Sequence, residues 1–176
     1  MRRTAAAISI LAVLGFTGGA HAQPRPRALA PVPMQECDDL LRAVQPAVPR
    51  PFRRSAGEVR FFSGTLDVRG PGCVLTARGM LNQFDGDGVY WETLKARLVR
   101  VGWRADPGMV ADGGGGQVLG YRRGDRYLAV SFEEDDGGMC DPDAPADADD
   151  CDLPPERTRV TVQLGLARAA PAPRRR

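Results

Sequence analysis

The residues with the most chemistry to offer are four cysteines, Cys37, Cys73, Cys140 and Cys151. Cysteines form disulfides in oxidising compartments, and zinc binds them as thiolates, commonly from C-x-x-C pairs. The sequence contains no C-x-x-C pair. We therefore predict two disulfides. Of the three pairings that four cysteines permit, we favour Cys140–Cys151, which are close in sequence, together with Cys37–Cys73. A zinc site built from all four thiolates is the alternative.

The segment 133–152 is unusually acidic, with ten acidic residues and no basic one. Carboxylate oxygens are the ligands that Ca²⁺ prefers, so calcium is one hypothesis, although the spacing does not match an EF-hand loop. A solvated loop and a docking surface for a basic partner are the other interpretations. The candidate contacts are Asp141, Asp143, Asp147, Asp149, Asp150 and Asp152.

The first 22 residues have the layout of a cleavable signal peptide. Arg2 and Arg3 precede the apolar run Ala5–Phe16, and Ala20–Ala22 forms an A-x-A cleavage site. We predict cleavage after Ala22 and a periplasmic or secreted mature protein. The apolar run is shorter than the roughly 20 residues that cross a bilayer as a helix, so no transmembrane segment is expected.

Export has a consequence for catalysis, because the single histidine of the chain, His21, lies in the predicted leader. A mature chain without imidazole excludes Ser-His-Asp and Cys-His nucleophile systems and every metal site that needs a histidine ligand. Two enzyme mechanisms stay open. One is a carboxylate pair, and the other is a serine activated by Lys95, neither with a recognisable motif. The carboxylate candidates are Glu58, Asp67, Asp85 and Glu92.

The charge balance argues against nucleic acid as a partner. The full chain has 24 basic and 22 acidic residues, and removal of Arg2 and Arg3 leaves a formally neutral mature protein. A nucleic-acid-binding domain needs a basic face, which the overall charge does not supply. Lys95 is the only lysine beside 23 arginines. Such a bias, with abundant Ala, Gly and Pro, is typical of a GC-rich bacterial genome and favours the periplasm.

Two helices and several strands are predicted to carry these residues. Met34–Val44 and Val89–Val101 have apolar residues at steps of three and four, which is typical of helices packed on a core. Residues 58–78 predict two strands around the turn Arg69–Gly72, with a break near Ser63-Gly64. A hairpin follows with its turn at Arg123–Arg126, and Arg159–Leu166 is the last strand.

The alternation of apolar and polar residues in this hairpin predicts the register of its two strands. If Arg123 faces Arg126, one face carries an apolar set and the other face can meet water. The apolar set is Leu119, Tyr121, Leu128, Val130 and Phe132, and the water-facing set is Arg122, Tyr127, Ser131 and Glu133 with Gly120 and Ala129. We interpret Arg123-Gly124-Asp125 as turn chemistry rather than a recognition tripeptide. Gly113–Gly116 is expected to be a flexible connection.

Together the patterns predict an α+β domain, a small antiparallel sheet of 4–5 strands with two helices in the order α-β-β-α-β-β-β. The predicted organisation is a signal peptide (1–22), a Pro-rich linker (23–33), one domain (34–166) with an acidic disulfide loop (133–152), and a disordered basic tail (167–176). The leading functional hypothesis is an exported, non-catalytic interaction module, an inhibitor or envelope accessory protein that binds an unknown protein partner or envelope component. A carboxylate-dependent hydrolase and a calcium-stabilised domain are the alternatives. Apart from calcium, no cofactor is expected.

Overall fold

A computed structural model describes residues 28–63, 66–84, 89–113, 116–135 and 153–171. These residues form two α-helices and seven strands, and short 3-10 turns follow α1 at Gln45–Ala47 and precede α2 at Leu81–Phe84. The elements in chain order are β1 (Leu29–Ala30), α1 (Met34–Val44), β2 (Arg53–Ser63), β3 (Leu66–Met80), α2 (Val89–Arg100), β4 (Arg104–Gly113), β5 (Gly116–Arg123), β6 (Arg126–Asp135) and β7 (Arg159–Ala169).

All strands belong to one antiparallel sheet with the order β2-β3-β7-β6-β5-β4, and β1 pairs with the end of β7. The α+β class is therefore confirmed, but the expected 4–5 strands and their simple order are wrong. The two additional strands are β1, which has two residues, and β4.

The two helices pack on one face of the sheet and build the main core. In α1, Cys37, Leu40 and Val44 are buried, and in α2 the buried residues are Tyr90, Leu94 and Leu98. They meet inward residues of β3, β5, β6 and β7 in one apolar cluster. The predicted helix bounds agree with the observed ones to within one residue, because apolar residues at helical spacing decide which face is buried.

A glycine ends α2 as the sequence predicts. Gly102 has φ 91°, in the left-handed region that glycine enters without strain. The Trp103 amide then donates to the Leu98 carbonyl at 3.0 Å, and the Trp103 indole is 1% exposed. The cap thus returns the chain to the core at Trp103.

The β5–β6 hairpin has the predicted register. Arg123 faces Arg126, and Tyr121 faces Leu128. The predicted apolar face lies in the main core. Gly124, at the turn, has φ 62°, which explains why glycine follows Arg123 there.

The first strand pair differs from the prediction, because Ser63 pairs with Leu66 and Arg69–Gly72 lie within β3 rather than in a turn. Gly70 and Gly72 are instead inside β3, where they permit close backbone contacts. A Cβ on Gly70 would lie 2.7 Å from the Leu29 carbonyl oxygen, and one on Gly72 would lie 2.5 Å from the Leu166 carbonyl oxygen. Pro71 is tolerated because β3 pairs with β7 only from Cys73 onward.

The far half of the β2–β3 hairpin folds over the sheet face opposite the helices. Val59, Phe61 and Val68 form a second apolar cluster there with Met109 and Tyr127. The Phe61 and Tyr127 rings meet edge to face, with centroids 5.1 Å apart. The prediction that the Tyr127 face of the β5–β6 hairpin meets water is therefore wrong at this end of the sheet, since Tyr127 is 3% exposed.

The sequence pattern missed β4 because Pro107-Gly108 is a turn signal. The pairing of β4 with β5 shifts register between Asp106 and Val110, and the intervening residues bring Met109 inward over Gly120. The Asp106 carboxylate accepts a hydrogen bond from the Gly108 amide at 3.0 Å. Gly113 pairs with Gly116, so the expected flexible connection is the end of a hairpin.

Both domain ends extend further than the predicted range 34–166. Leu29 and Ala30, within the stretch interpreted as a linker, pair with Ala169 and Arg168 of β7. Ala167, placed by prediction in the basic tail, is fully buried. The N-terminal strand β1 and the end of β7 are thus hydrogen-bonded to each other. This contact is long-range in sequence, so the local composition of either segment does not reveal it.

Candidate functional site

The structure joins Cys37 of α1 to Cys73 of β3 through a disulfide, with the Cα atoms 6.1 Å apart. That separation lies in the ordinary range for bridged cysteines. Both residues are buried in the main core, so the bond ties the helical layer to the sheet. A bridged pair offers no thiolate, and the structure does not support a four-thiolate zinc site. Cys140 and Cys151 lie outside the described residues.

Glu58 and Asp67, two of the carboxylates considered for hydrolysis, are both paired with arginine. Glu58 and Asp67 lie on the β2–β3 hairpin, where both contact Arg69, at 3.7 and 3.5 Å. Two further hydrogen bonds of 2.8 Å from Arg60 lower the pKa of Asp67. A general acid needs the opposite shift.

The remaining enzyme candidates are Glu92, Lys95 and Asp85. Glu92 lies on α2 and pairs with Lys95 at 2.5 Å. Lys95 lines a cavity of about 440 Å³ whose described lining includes Asp106 and Tyr121 but no serine. Asp85 is outside the described residues. The described part of the chain therefore gives the hydrolase hypothesis no supporting geometry.

The predicted acidic contacts Asp141, Asp143, Asp147, Asp149, Asp150 and Asp152 lie outside the described residues. Within residues 28–63, 66–84, 89–113, 116–135 and 153–171, no group of three or more His, Cys, Asp or Glu side chains is arranged to hold a metal ion. The first three carboxylates of the acidic segment, Glu133 to Asp135, lie at the end of β6 and pair with residues at the start of β7.

The Arg123-Gly124-Asp125 tripeptide forms the tight β5–β6 turn and has structural contacts. The Arg123 guanidinium lies over the Trp103 ring, 4.7 Å from its centroid, and donates to the Val101 carbonyl at 3.2 Å. The Asp125 carbonyl accepts from the Ala169 amide at 2.8 Å. These contacts agree with the prediction that the tripeptide has a structural role in the turn.

One end of the sheet face opposite the helices is not covered by the β2–β3 hairpin. We name it the open sheet face. Its polar side chains come from neighbouring strands in register, since Arg53 pairs with Thr76 and Thr76 with Gln163. Gln163 and its partner Ser131 border the hairpin, because they line a cavity together with hairpin residues. The next row pairs Arg78 with Thr161 and Thr161 with Glu133. Side chains alternate between faces along a strand, so these residues share one surface.

A cavity of about 450 Å³ lies at the β2–β3 edge of the open sheet face, and we name it the arginine groove. Its lining residues are Arg50, Pro51, Arg53, Ser55, Thr76 and Arg78. The Arg50 guanidinium is held across the strand by a 3.4 Å hydrogen bond from Nε to the Arg78 carbonyl. A Cβ on Gly79 would lie 2.8 Å from Gln83 Oε1, 2.9 Å from Phe84 Cε2 and 3.2 Å from Arg50 Nε, so the three side chains together favour glycine there.

Some arginines of the described residues are paired with carboxylates, and the groove arginines belong to those that are not. Arg42, Arg54, Arg60, Arg69 and Arg126 each contact a carboxylate. None of the three groove arginines has a carboxylate within 4 Å in the part of the chain that the structure describes. Three like charges therefore line one concave surface without neutralisation, an arrangement that attracts anions.

A second cavity of about 540 Å³ adjoins the groove and shares Arg78 with it. Arg159, Thr161 and Gln83 also line it, and Asp135 contributes a carboxylate. The two cavities make the open sheet face a continuous polar surface that becomes more cationic toward β2.

The sequence contains a weak signal for this site, a two-residue spacing of polar side chains. Arg53 and Ser55, and likewise Thr76 and Arg78, are two residues apart, the spacing that places side chains on one face of a strand. The signal was hidden because residues 53–57 were not predicted to be strand. Arg53 and Thr76 become neighbours only when β2 pairs with β3, which the local sequence does not show.

No helix in the described ranges has the length and apolar content needed to cross a membrane. No protein-family model, curated protein or solved structure matches this chain.

Proposed function

We propose that this chain is an exported, disulfide-bonded, non-catalytic binding module whose contact surface is the open sheet face. The observation that carries the proposal is the division of one sheet face into two halves. The hairpin buries the half around Tyr127, and the other half, from Arg53 to Thr161, presents polar side chains around two cavities. Ligands bind preferentially in concave surfaces, where a few polar groups fix their orientation.

The compartment is part of the same proposal. The leader 1–22 has signal-peptide layout, and the buried Cys37–Cys73 bridge is of the kind that persists in oxidising compartments. We expect the full-length chain, expressed in a bacterial host, to accumulate in the periplasm with Gln23 as its first residue. N-terminal sequencing of the periplasmic fraction checks this, and an intact Met1 would contradict it.

Site-specific crosslinking tests the contact surface. A photoreactive residue placed at Thr161, on the open sheet face, is compared with one at Thr93, which is exposed on α2. We expect a discrete adduct of the mature protein in envelope extract from the Thr161 position and none from Thr93. Absence of an adduct from Thr161, or equal labelling from both positions, would refute the open sheet face as the contact.

The acidic segment 133–152 is a second candidate contact within the same function. Its ten carboxylates suit a basic partner. Replacing Asp141–Asp150 with a neutral linker tests this, because a partner held through these carboxylates should be lost while the Thr161 adduct persists. A calcium-stabilised segment is the alternative. In that case the melting temperature of the mature protein should rise with added calcium, and an unchanged midpoint would rule calcium out.

A further inference from the structure

We propose that the arginine groove is a binding site for a phosphate group. This inference deepens the proposed function and rests on it for the biological context, but the binding chemistry stands on the groove itself. Arg50, Arg53 and Arg78 line one cavity of about 450 Å³ together with Ser55 and Thr76, with Arg50 at its edge.

The hydrogen-bond donors and positive charges of the groove favour a phosphate over a carboxylate as ligand. Each guanidinium offers up to five N–H donors in a planar fork, and each hydroxyl adds one. A carboxylate has two oxygens and a single charge, whereas a phosphate monoester has three free oxygens and between about 1.5 and 2 negative charges at neutral pH. Three cations and two hydroxyls are therefore better matched by the phosphate.

The backbone presents these donors before any ligand arrives. Arg53 and Thr76 are direct partners in the β2–β3 ladder, and Arg78 and Ser55 lie two residues along their strands, on the same face. Arg50 is oriented by its hydrogen bond to the Arg78 carbonyl. Because sheet residues rather than a loop position four of the five groups, little ordering should be lost on binding.

The lining also separates this site from a nucleic-acid surface. Single-stranded nucleic acid is held by a basic groove with aromatic rings on which the bases stack. The described residues that line the groove include no aromatic side chain, and the groove is the size of a small-molecule pocket. A phosphate on a sugar, a glycerol backbone or a lipid headgroup fits this chemistry.

Binding is tested with the mature chain 23–176 and two kinds of probe. Titration calorimetry with inorganic phosphate and with glycerol phosphate measures soluble ligands. Co-sedimentation with phosphatidylcholine vesicles, with and without phosphatidic acid, measures a lipid phosphate. Binding of the soluble probes assigns a free phosphate ester, and binding of the phosphatidic acid vesicles alone assigns a membrane source.

The decisive comparison uses two double variants with the same change in charge. Arg53→Gln with Arg78→Gln empties the groove of two guanidiniums. Arg100→Gln with Arg104→Gln removes two exposed arginines elsewhere, neither with a carboxylate contact among the described residues. We expect at least a tenfold loss of affinity in the groove variant and less than a twofold change in the control.

A third variant separates coordination from the general electrostatic field. Arg53→Lys with Arg78→Lys keeps the charge and loses the bidentate fork, so we expect an intermediate loss. Equal loss in the groove and control variants, or no binding of any probe by the wild-type protein, would overturn the site. Failure of phosphate binding together with a Thr161 adduct would leave the open sheet face as a protein contact and remove only this inference.

Discussion

Removal of the Cys37–Cys73 bridge is the perturbation whose effect the structure predicts most directly. The two residues are separated by 36 positions in the sequence. In the chain-entropy description, a cross-link closing a loop of that length restricts the unfolded state by about 4 kcal/mol at 25 °C. Both side chains are buried, so alanine is the appropriate replacement, since serine would bury two hydroxyls without partners. We expect Cys37→Ala with Cys73→Ala to lose about 4 kcal/mol of unfolding free energy.

Urea unfolding of the mature protein, followed by tryptophan fluorescence, measures this loss. Trp103 is 1% exposed beside the core that the bridge joins, so its emission should report the same transition. Cys140→Ala with Cys151→Ala is the matched control. If those cysteines form the predicted pair, their loop of eleven positions gives about 3 kcal/mol in the same description. The first double variant should therefore be the less stable of the two.

Two results would refute this reasoning. A loss below about 1 kcal/mol in the Cys37→Ala, Cys73→Ala variant would mean that the bridge does not restrict the unfolded chain. Non-reducing peptide mapping that joins Cys37 to Cys140 or Cys151 would show that the helical layer is tied to a different part of the chain. Recovery of Cys37 linked to Cys73 would agree with the structure.

Two further predictions concern the second cluster and the main ion pair. Phe61→Ala should cost about 3–5 kcal/mol in urea unfolding, because the ring is 1% exposed against Tyr127, whereas half-buried Phe62→Ala should cost clearly less. Similar costs would mean that the hairpin does not cover the sheet. Arg126 donates to both carboxylate oxygens of Glu36, at 2.6 and 2.7 Å, and these hydrogen bonds lower the pKa of Glu36 below its ordinary 4.5. A lowered folded-state pKa gives stability that is present above the unfolded-state value and lost as pH falls through the folded-state value. Glu36→Gln should therefore cost about 1 kcal/mol at pH 7 and progressively less as the pH falls through the lowered pKa of Glu36, and a pH-independent difference in unfolding free energy would contradict the assignment.

The local elements of the fold could be read from the sequence where a single strong pattern was present. The α1 and α2 stripes and the β5–β6 register depend on contacts between near neighbours in the chain, and all three predictions were confirmed. The β2–β3 turn was misplaced because Gly70 and Gly72 have the composition of a turn. Their actual role, close approach to Leu29 and Leu166, involves residues far away in sequence.

The candidate site was predictable only in part, for the same reason. The sequence drew attention to the acidic segment, whose composition is visible without any fold. It could not indicate the arginine groove, where Arg50, Arg53 and Arg78 meet only after β2 pairs with β3. In a chain with 23 arginines, three unneutralised ones are not distinguishable by composition.

The sequence by itself determined the signal-peptide pattern, the lack of histidine beyond His21, and the two amphipathic helices, because each is a property of residue type or of short spacing. Tertiary structure decided which half of the Tyr127 face is covered and which half is open. The reason is that a strand pattern specifies two faces but not what lies against them. The long β2–β3 hairpin bends over the half around Tyr127 only. The apolar residues between Val59 and Val68 form a second core because of that bend.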